Sequence, residues 1–355
     1  MKNQLLFTPG PVPLADEIAA AGAHVELYHQ SDAYTSVVHD LSHRLREVFL
    51  SDGPVLMLSG SGMTGIDASA ASLQHASDHV LVLHHGRFGE RLLDIARIYS
   101  ATVESISAPW GDAIDMDAVE RYCSSVAKLD VVWCVHSETS TGVSIDVQSI
   151  ASIVRRYHPE ALVCVDAVTS VAIQELRSSA WGLDAVVTGI QKGLCCSPGL
   201  ALVALSDRAI ARTSQSRPLF TLDLHRVVEN LRNDRMTWTP PTSLVAQLSV
   251  AVDSILSKGL PSVWSHHNAL YDDVRARAES RGFSVWGQST SRGVLVMTHP
   301  DGDGIRCELE HTHNMIIANG QDAMAGEVVR FGLCGSYTSE RYSILFDAID
   351  SIISR

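Results

Sequence analysis

Along the first two hundred residues, short apolar runs rich in Val, Ile, Leu and Ala alternate with longer stretches in which apolar positions recur every three to four places. The short runs predict strands at 54–58, 80–84, 102–106, 131–135, 162–165, 185–188 and 200–205. The stretches between them predict helices at 37–49, from about 63, from the turn at Phe88 to about 100, at 117–128 and at 147–157. Strand and helix in alternation make a mostly parallel sheet with helices on both faces, an α/β fold. The runs at 185–188 and 200–205 read as neighbouring buried strands.

After residue 205 the rhythm changes. A linker leads to a helix from about 222, followed by amphipathic helices at 244–258 and 261–281. A strand at 293–298, a helix at 305–314, a strand-like run around Arg330 and a helix at 339–353 then read as a smaller α/β unit. The expected division is an extended leading segment over 1–20, a large domain over 21–255 and a small C-terminal domain over 256–355. The Pro/Gly content of "LLFTPGPVP" keeps the first dozen residues out of a helix, so they are expected to run extended over a surface.

Composition narrows the function classes. Of 355 residues 46% are hydrophobic and 19% charged, which is ordinary for a globular chain, and the net charge of −13 argues against nucleic acid or an anionic membrane as the main partner. Nothing approaches the roughly 20 apolar residues needed to span a bilayer. Seven cysteines without metal spacing, and a start without an apolar signal segment, suggest a reduced, cytoplasmic setting. The pairs His84/His85, His266/His267 and His311/His313 lack a nearby third ligand, so no metal is expected.

A parallel sheet binds ligands beyond the carboxyl ends of its strands. The polar residues there are 59–62, 84–88, 136–141, 166–170 and Lys192. In "SGSGM" a strand passes through a Gly/Ser turn into a helix, which points free backbone N–H groups at an anion. Lys192 lies in a loop between two apolar strands; burial there would lower its pKa and suit it to Schiff-base chemistry, whereas an exposed head on a packed stem would be inert. Asp166 closes the apolar run "LVCV", where a carboxylate needs a partner: turn N–H groups, or a protonated ring nitrogen such as that of a pyridoxal cofactor. Thr139, in "HSETSTG", could reach the phenolic oxygen of such a ring.

These stretches, with "LLFTPGP", "HGRFGER", "VDAVTS", "GIQKGL", "TPPTS" and "VRFGLCG", resemble in order the class V aminotransferase group of fold-type I pyridoxal-phosphate enzymes. The likeness is greatest to 2-aminoethylphosphonate:pyruvate aminotransferases and next to alanine:glyoxylate aminotransferases. The resemblance implies a large, mostly parallel sheet of seven-stranded type with a smaller C-terminal α/β domain, pyridoxal 5'-phosphate as cofactor and a homodimer with shared active sites. It implies that Lys192 is the Schiff-base lysine, Asp166 pairs with the pyridine nitrogen, Phe88 stacks on the ring and Thr139 bonds near its phenolic oxygen. By the same likeness Ser61, Gly62, Met63 and Gln191 hold the phosphate, Thr239 reaches it from the partner subunit, and Arg330 binds the acidic group of the substrate. Met63 stands where the alanine:glyoxylate enzymes have a histidine, and Met236 where they have an aromatic residue.

The expected reaction moves an amino group from a small donor (2-aminoethylphosphonate, or an amino acid such as alanine or serine) to pyruvate or glyoxylate. Arg87 and Arg217 are candidates for a second cation toward a phosphonate. One rival is a lyase or desulfurase on the same fold, for which Cys334 is the suggestive thiol. Another is a Rossmann-type nucleotide-binding protein, which "GSGMTG" permits by spacing but His84, where an acidic residue should end the next strand, does not favour.

Overall fold

The computed structural model describes residues 4–23, 27–214 and 219–354. Its central sheet has seven strands in the order Val55–Ser59, Leu200–Leu205, Ala185–Gly189, Leu162–Asp166, Val131–Val135, His79–His84 and Thr102–Ser107. Leu200–Leu205 runs antiparallel to both its neighbours, and every other ladder in the sheet is parallel. Alternate residues of each strand feed the two cores on either face. Val163, Val165 and Val186 join the one that packs under the helices Asp32–Phe49 and Thr242–Lys258, while Trp133, Cys164 and Val187 join the one under Gly62–Leu73 and Arg87–Tyr99. Near-continuous apolar strands follow from burial on both faces.

The register places the chemistry. Asp166 stands opposite Val135 on one side and Val187 on the other, so the chain beyond Gly189 brings Lys192 to the same end of the sheet as Asp166. The helices Val147–Tyr157 and Ser339–Ile353 have the predicted bounds, and the other predicted helices begin or end within a few residues of expectation.

A second, antiparallel sheet has the order Ser284–Val285, Val294–Thr298, Val329–Gly332 and Ala318–Asn319. Phe331 enters its core with Tyr342 and Phe346, and strand alternation turns Arg330 the other way, toward the large sheet.

The leading segment departs from expectation. It does not lie on a surface: Leu5–Leu6 adds as a parallel strand beside Met315–Ile316, and Phe7 is fully buried in the second core. Phe7 carbonyl accepts from Gly332 N at 2.8 Å and Thr8 carbonyl from the Tyr337 hydroxyl at 2.9 Å. A helix, Asp16–Ala23, follows and packs against Thr242–Lys258. Pro and Gly exclude a helix but not an extended strand, and long-range pairing holds this one down.

Candidate active site

The carboxyl ends of the central strands open into a cleft of about 330 Å³. Ser61, Gly62 and Met63 line it together with Phe88 and Thr139, as do Asp166, Gln191, Lys192 and Arg330. Thr239 does not: it is exposed, in the loop ahead of the helix Thr242–Lys258. Arg217 falls outside the described residues. Thr169, from the polar stretch 166–170, lines the cleft too, as do residues that the sequence did not single out, chiefly Thr8–Gly10, Arg91 and Gln321.

Lys192 is 8% exposed, and its amine donates to the Thr139 hydroxyl at 2.8 Å and the Thr169 hydroxyl at 2.7 Å. Burial pushes its pKa below the usual lysine value, against the pull of the nearby Asp166 carboxylate. The amine also lies 5.6 Å from the centroid of the Phe88 ring. Gly10 presses on the lysine stem from above: a β-carbon there would meet Lys192 Cγ at 3.0 Å and Cε at 3.1 Å, with φ at +143°.

Asp166 is buried at its strand end. One oxygen accepts from Val168 N at 2.9 Å, and the described residues supply the carboxylate no other hydrogen bond. Burial raises its pKa to about 6, opposed by the Val168 N–H and Lys192. At neutral pH it is therefore an ionised acceptor with a free side on the cleft.

The turn 59–62 leads into the helix Gly62–Leu73, and the Thr64 hydroxyl accepts from Ser61 N at 3.1 Å, fixing the entry. Gly62 has to be small, because a β-carbon would come within 2.7 Å of Val168 and 3.3 Å of Gly189 N. Beside it Gln191 Oε1 is buried without a partner. Free helix N–H groups and a glycine cradle fit a phosphate, as does the Gln191 amide when it is turned over to present its N–H. With a lysine amine, an unshared carboxylate and an aromatic face in the same cleft, the residues present fit pyridoxal phosphate.

Glu138, within the polar stretch 136–141 but given no role by the sequence, supports this arrangement. Fully buried, its carboxylate accepts from Phe88 N at 3.1 Å, Gly89 N at 3.0 Å and the Ser140 hydroxyl at 2.6 Å. It thereby caps the helix Arg87–Tyr99 and ties the Phe88 wall to the loop of Thr139. Gly86 sits against it, a glycine whose added β-carbon would lie 2.5 Å from Glu138 Cγ.

Arg330 enters from the second sheet and is 7% exposed. Its Nε donates to Asn319 carbonyl at 2.7 Å and its Nη1 to Thr139 carbonyl at 3.0 Å, so the Nη1/Nη2 end remains for a ligand. Burial lowers its pKa to about 10, still well above neutrality.

Cys334 is buried, and its thiol contacts the carbonyls of Gly293 at 3.0 Å and Pro9 at 3.5 Å. Burial raises its pKa to about 12, so it stays a thiol on a fixed strand end, unlike the mobile nucleophile a desulfurase needs. Cys195 is likewise pushed up to about 12 by burial, and Cys196 is raised, which suits apolar filling. Among the described residues no group of three or more His, Cys, Asp or Glu is placed to hold a metal. His311 Nδ1 donates locally, to the Cys307 carbonyl at 2.8 Å.

A mostly parallel seven-stranded sheet with a cofactor-ready lysine at its carboxyl edge and a second α/β sheet closing the cleft defines a fold-type I pyridoxal-phosphate enzyme. The family Aminotransferase class-V matches residues 17–322, and the chain belongs to it. It is a pyridoxal-phosphate-dependent transaminase. Aspartate aminotransferase of subgroup IV from Thermus thermophilus superposes with a TM-score of 0.90 at 31% identity, over 99% of both chains. Alanine–glyoxylate aminotransferase from Nostoc sp. superposes with a TM-score of 0.92 at 28% identity, over 100% of this chain and 96% of that one. Pyridoxamine–pyruvate transaminase of Mesorhizobium japonicum is 28% identical over 96% of this chain and 88% of its own.

Proposed function

We propose that this transaminase passes the amino group of a small donor, 2-aminoethylphosphonate or an amino acid such as alanine or serine, to glyoxylate or pyruvate, with Lys192 as the residue that both anchors the cofactor and carries the proton. The observation that carries the reading is the Lys192 amine, buried, held by two hydroxyls and facing an unshared Asp166 carboxylate across one cleft. The alanine–glyoxylate and pyridoxamine–pyruvate relatives support the acceptor pair.

Pyridoxal phosphate, when bound, supplies an aldehyde that condenses with amines and a ring that takes up the charge of a substrate carbanion. The protein's part is placement and proton handling. The Ser61, Gly62 and Met63 amides and Gln191 hold the phosphate; Asp166 holds a protonated ring nitrogen; Phe88 offers a ring face; Thr139 serves near the phenolic oxygen. The Nη1/Nη2 end of Arg330 takes the carboxylate or phosphonate of the substrate in two parallel bonds. Lys192, its basicity lowered by burial, takes a proton from the substrate's α-carbon and returns it elsewhere, while Thr169 and Thr139 keep the amine aimed. Two successive half-reactions on one site give ping-pong kinetics.

Thr239 belongs to this reading as a residue lent to a second subunit. Its exposure beside Phe220 and Trp238, which are 68% and 40% exposed and stacked at 5.2 Å, supports a homodimer through this face. A division of the large from the small domain near the proposed 255/256 fits the helix break at Gly259 and the separate second core, whereas a boundary at 20 falls inside the helix Asp16–Ala23. Seven free cysteines support a cytoplasmic setting. No helix among the described residues is long and apolar enough to cross a membrane.

The test is direct. Purified protein should absorb in the visible, lose that band to borohydride and convert alanine plus glyoxylate to pyruvate plus glycine. Lys192→Ala should lose turnover and the borohydride-sensitive band with an unchanged circular dichroism spectrum. Turnover above a few percent in Lys192→Ala would remove the assignment, and a fully active monomer in sedimentation would remove the dimer.

A further inference from the structure

Arg91 reaches the cleft from the helix Arg87–Tyr99, one turn beyond Phe88 and on the same helix face. Its guanidinium carbon lies 5.2 Å from the Phe88 centroid, the same ring whose centroid is 5.6 Å from Lys192 Nζ. Arg91 is solvent-exposed, so it stands at the mouth of the cleft. Arg87, one turn away, pairs with Asp322 at 3.0 Å, and Arg330 is fastened to two backbone carbonyls. Arg91 makes no ion pair among the described residues; its contact is the Phe88 ring, which leaves the five N–H groups free for a ligand.

The cleft thus has two guanidinium groups on different walls, Arg330 from the second sheet and Arg91 from the large-domain helix. Gln321 lines the same space with its Oε1 buried and unpartnered, and its amide, turned over, would aim an N–H at an anion there. A monocarboxylate acceptor such as glyoxylate uses one of these cations. The second is available to a ligand that brings further negative charge, since the cofactor phosphate already has the Gly62 helix start and Gln191.

We infer that Arg91 is a second anion anchor and a specificity-determining residue, and that the amino donor of this cleft carries two negative charges, as a dicarboxylic amino acid or an aminoalkylphosphonate does. The inference rests on the transaminase reading and deepens it. A planar guanidinium over an aromatic face is held in place without losing its hydrogen-bonding edges, which is how an arginine at a cleft mouth becomes selective. Arg330 would take one acid group and Arg91 the other, or the two would share the oxygens of a phosphonate.

The experiment compares the loaded wild type with Arg91→Met and Arg91→Lys. It measures kcat/KM for L-aspartate, 2-aminoethylphosphonate and L-alanine with glyoxylate. It also measures calorimetric binding of maleate, an unreactive dicarboxylate, and of pyridoxal phosphate to the apoprotein. In Arg91→Met the ratio of kcat/KM for the preferred dianionic donor to that for alanine should fall about tenfold or more, with a matching loss of maleate affinity, and Arg91→Lys should recover part of both. Which of aspartate and aminoethylphosphonate shows the effect identifies the acid. An unchanged ratio overturns the inference, and if pyridoxal phosphate affinity falls instead, Arg91 serves the cofactor. A wild type that prefers alanine to both dianions overturns it as well. If the wild type transaminates no donor at all, the functional reading fails, and maleate binding alone still decides the role of Arg91.

Discussion

The amine of Lys192 donates to the hydroxyl of Thr169 at 2.7 Å, and that hydroxyl lies 2.5 Å from the hydroxyl of Thr139. Three groups from three strand ends thus form a closed triangle at the reacting position. A flexible lysine has several rotamers, and two acceptors on one side select the one that faces the cleft. Thr169→Val should therefore slow the half-reaction with an amino donor by about tenfold, since one charge-competent hydrogen bond is lost and the amine is left with a single anchor. Thr169→Ser should restore most of the rate. Stopped-flow absorbance on the two variants checks this; equal rates in Thr169→Val and wild type would make Thr169 a spectator.

Arg330 offers a ligand only its Nη1/Nη2 end, because Asn319 and Thr139 carbonyls occupy the rest. Arg330→Lys keeps the charge but replaces a planar fork by a point donor and releases both carbonyls. The Michaelis constant for the acidic substrate should rise by about tenfold or more, with a smaller effect on kcat, as expected for binding common to ground and transition states. Steady-state kinetics over aminoethylphosphonate, alanine, serine and taurine provide the comparison. If no donor loses apparent affinity, Arg330 merely ties the second sheet to the Thr139 loop.

Much of this site was legible in the chain because buried polar residues are rare and conspicuous. Asp166 ends the run "LVCV" and Lys192 follows "DAVVTG", so each announces itself as a polar group at a strand end. Arg330 showed in the same way inside "EVVRFGL". Thr169 lay within the stretch 166–170, yet nothing local separates its hydroxyl from that of Ser170; only the folded turn does. Arg91 was findable by its i+3 spacing from Phe88. Glu138 was not, since its role is to cap a helix that begins some fifty residues earlier, and the descent of Thr8–Gly10 onto Lys192 depends on a ladder with Met315–Ile316. Tertiary pairing of that length leaves no local pattern.

Gly10 gives a test of that descent. Its φ of +143° is open to glycine and strained for other residues, and a β-carbon would press on Lys192 Cγ and Cε at 3.0 and 3.1 Å. Gly10→Ala should lower stability by about 1–3 kcal/mol and displace the lysine stem from its two threonines. Cofactor affinity and turnover should fall together, whereas a change on the far side of the lysine loop would alter stability alone. Urea denaturation with a parallel titration of pyridoxal phosphate separates the two effects. Full activity and unchanged affinity would show that the leading segment can yield without consequence.

Buried histidines shape the response of the apoprotein to acid, and burial lowers His85, His136 and His267 alike. Burial lowers His267, whose Nδ1 lies 2.9 Å from Leu333 carbonyl, and His136 alike to about 4, against 6.5 in the unfolded chain. Between those values the unfolded chain holds the proton and the native protein does not. His267 and His136 thus each contribute stability that is complete above pH 6.5 and is lost as pH falls toward 4, on the order of 3 kcal/mol apiece. Asp166 acts in the opposite direction: its carboxyl, raised to about 6, takes up a proton on folding, so it favours the native state as pH drops from 6 toward 3.8. Asp166 roughly offsets one of these histidines, and the rest, His85 included, act in one direction, so unfolding should become easier on acidification through this window. His267→Gln should start lower at pH 7, because it disturbs the Leu333 contact, but should lose stability less steeply between pH 6.5 and 4, by up to about 1.4 kcal/mol per pH unit. Urea titrations of the apoproteins at half-unit pH intervals give both slopes, and parallel curves for the variant and the wild type would show that His267 charges as freely in the native state as in the unfolded one.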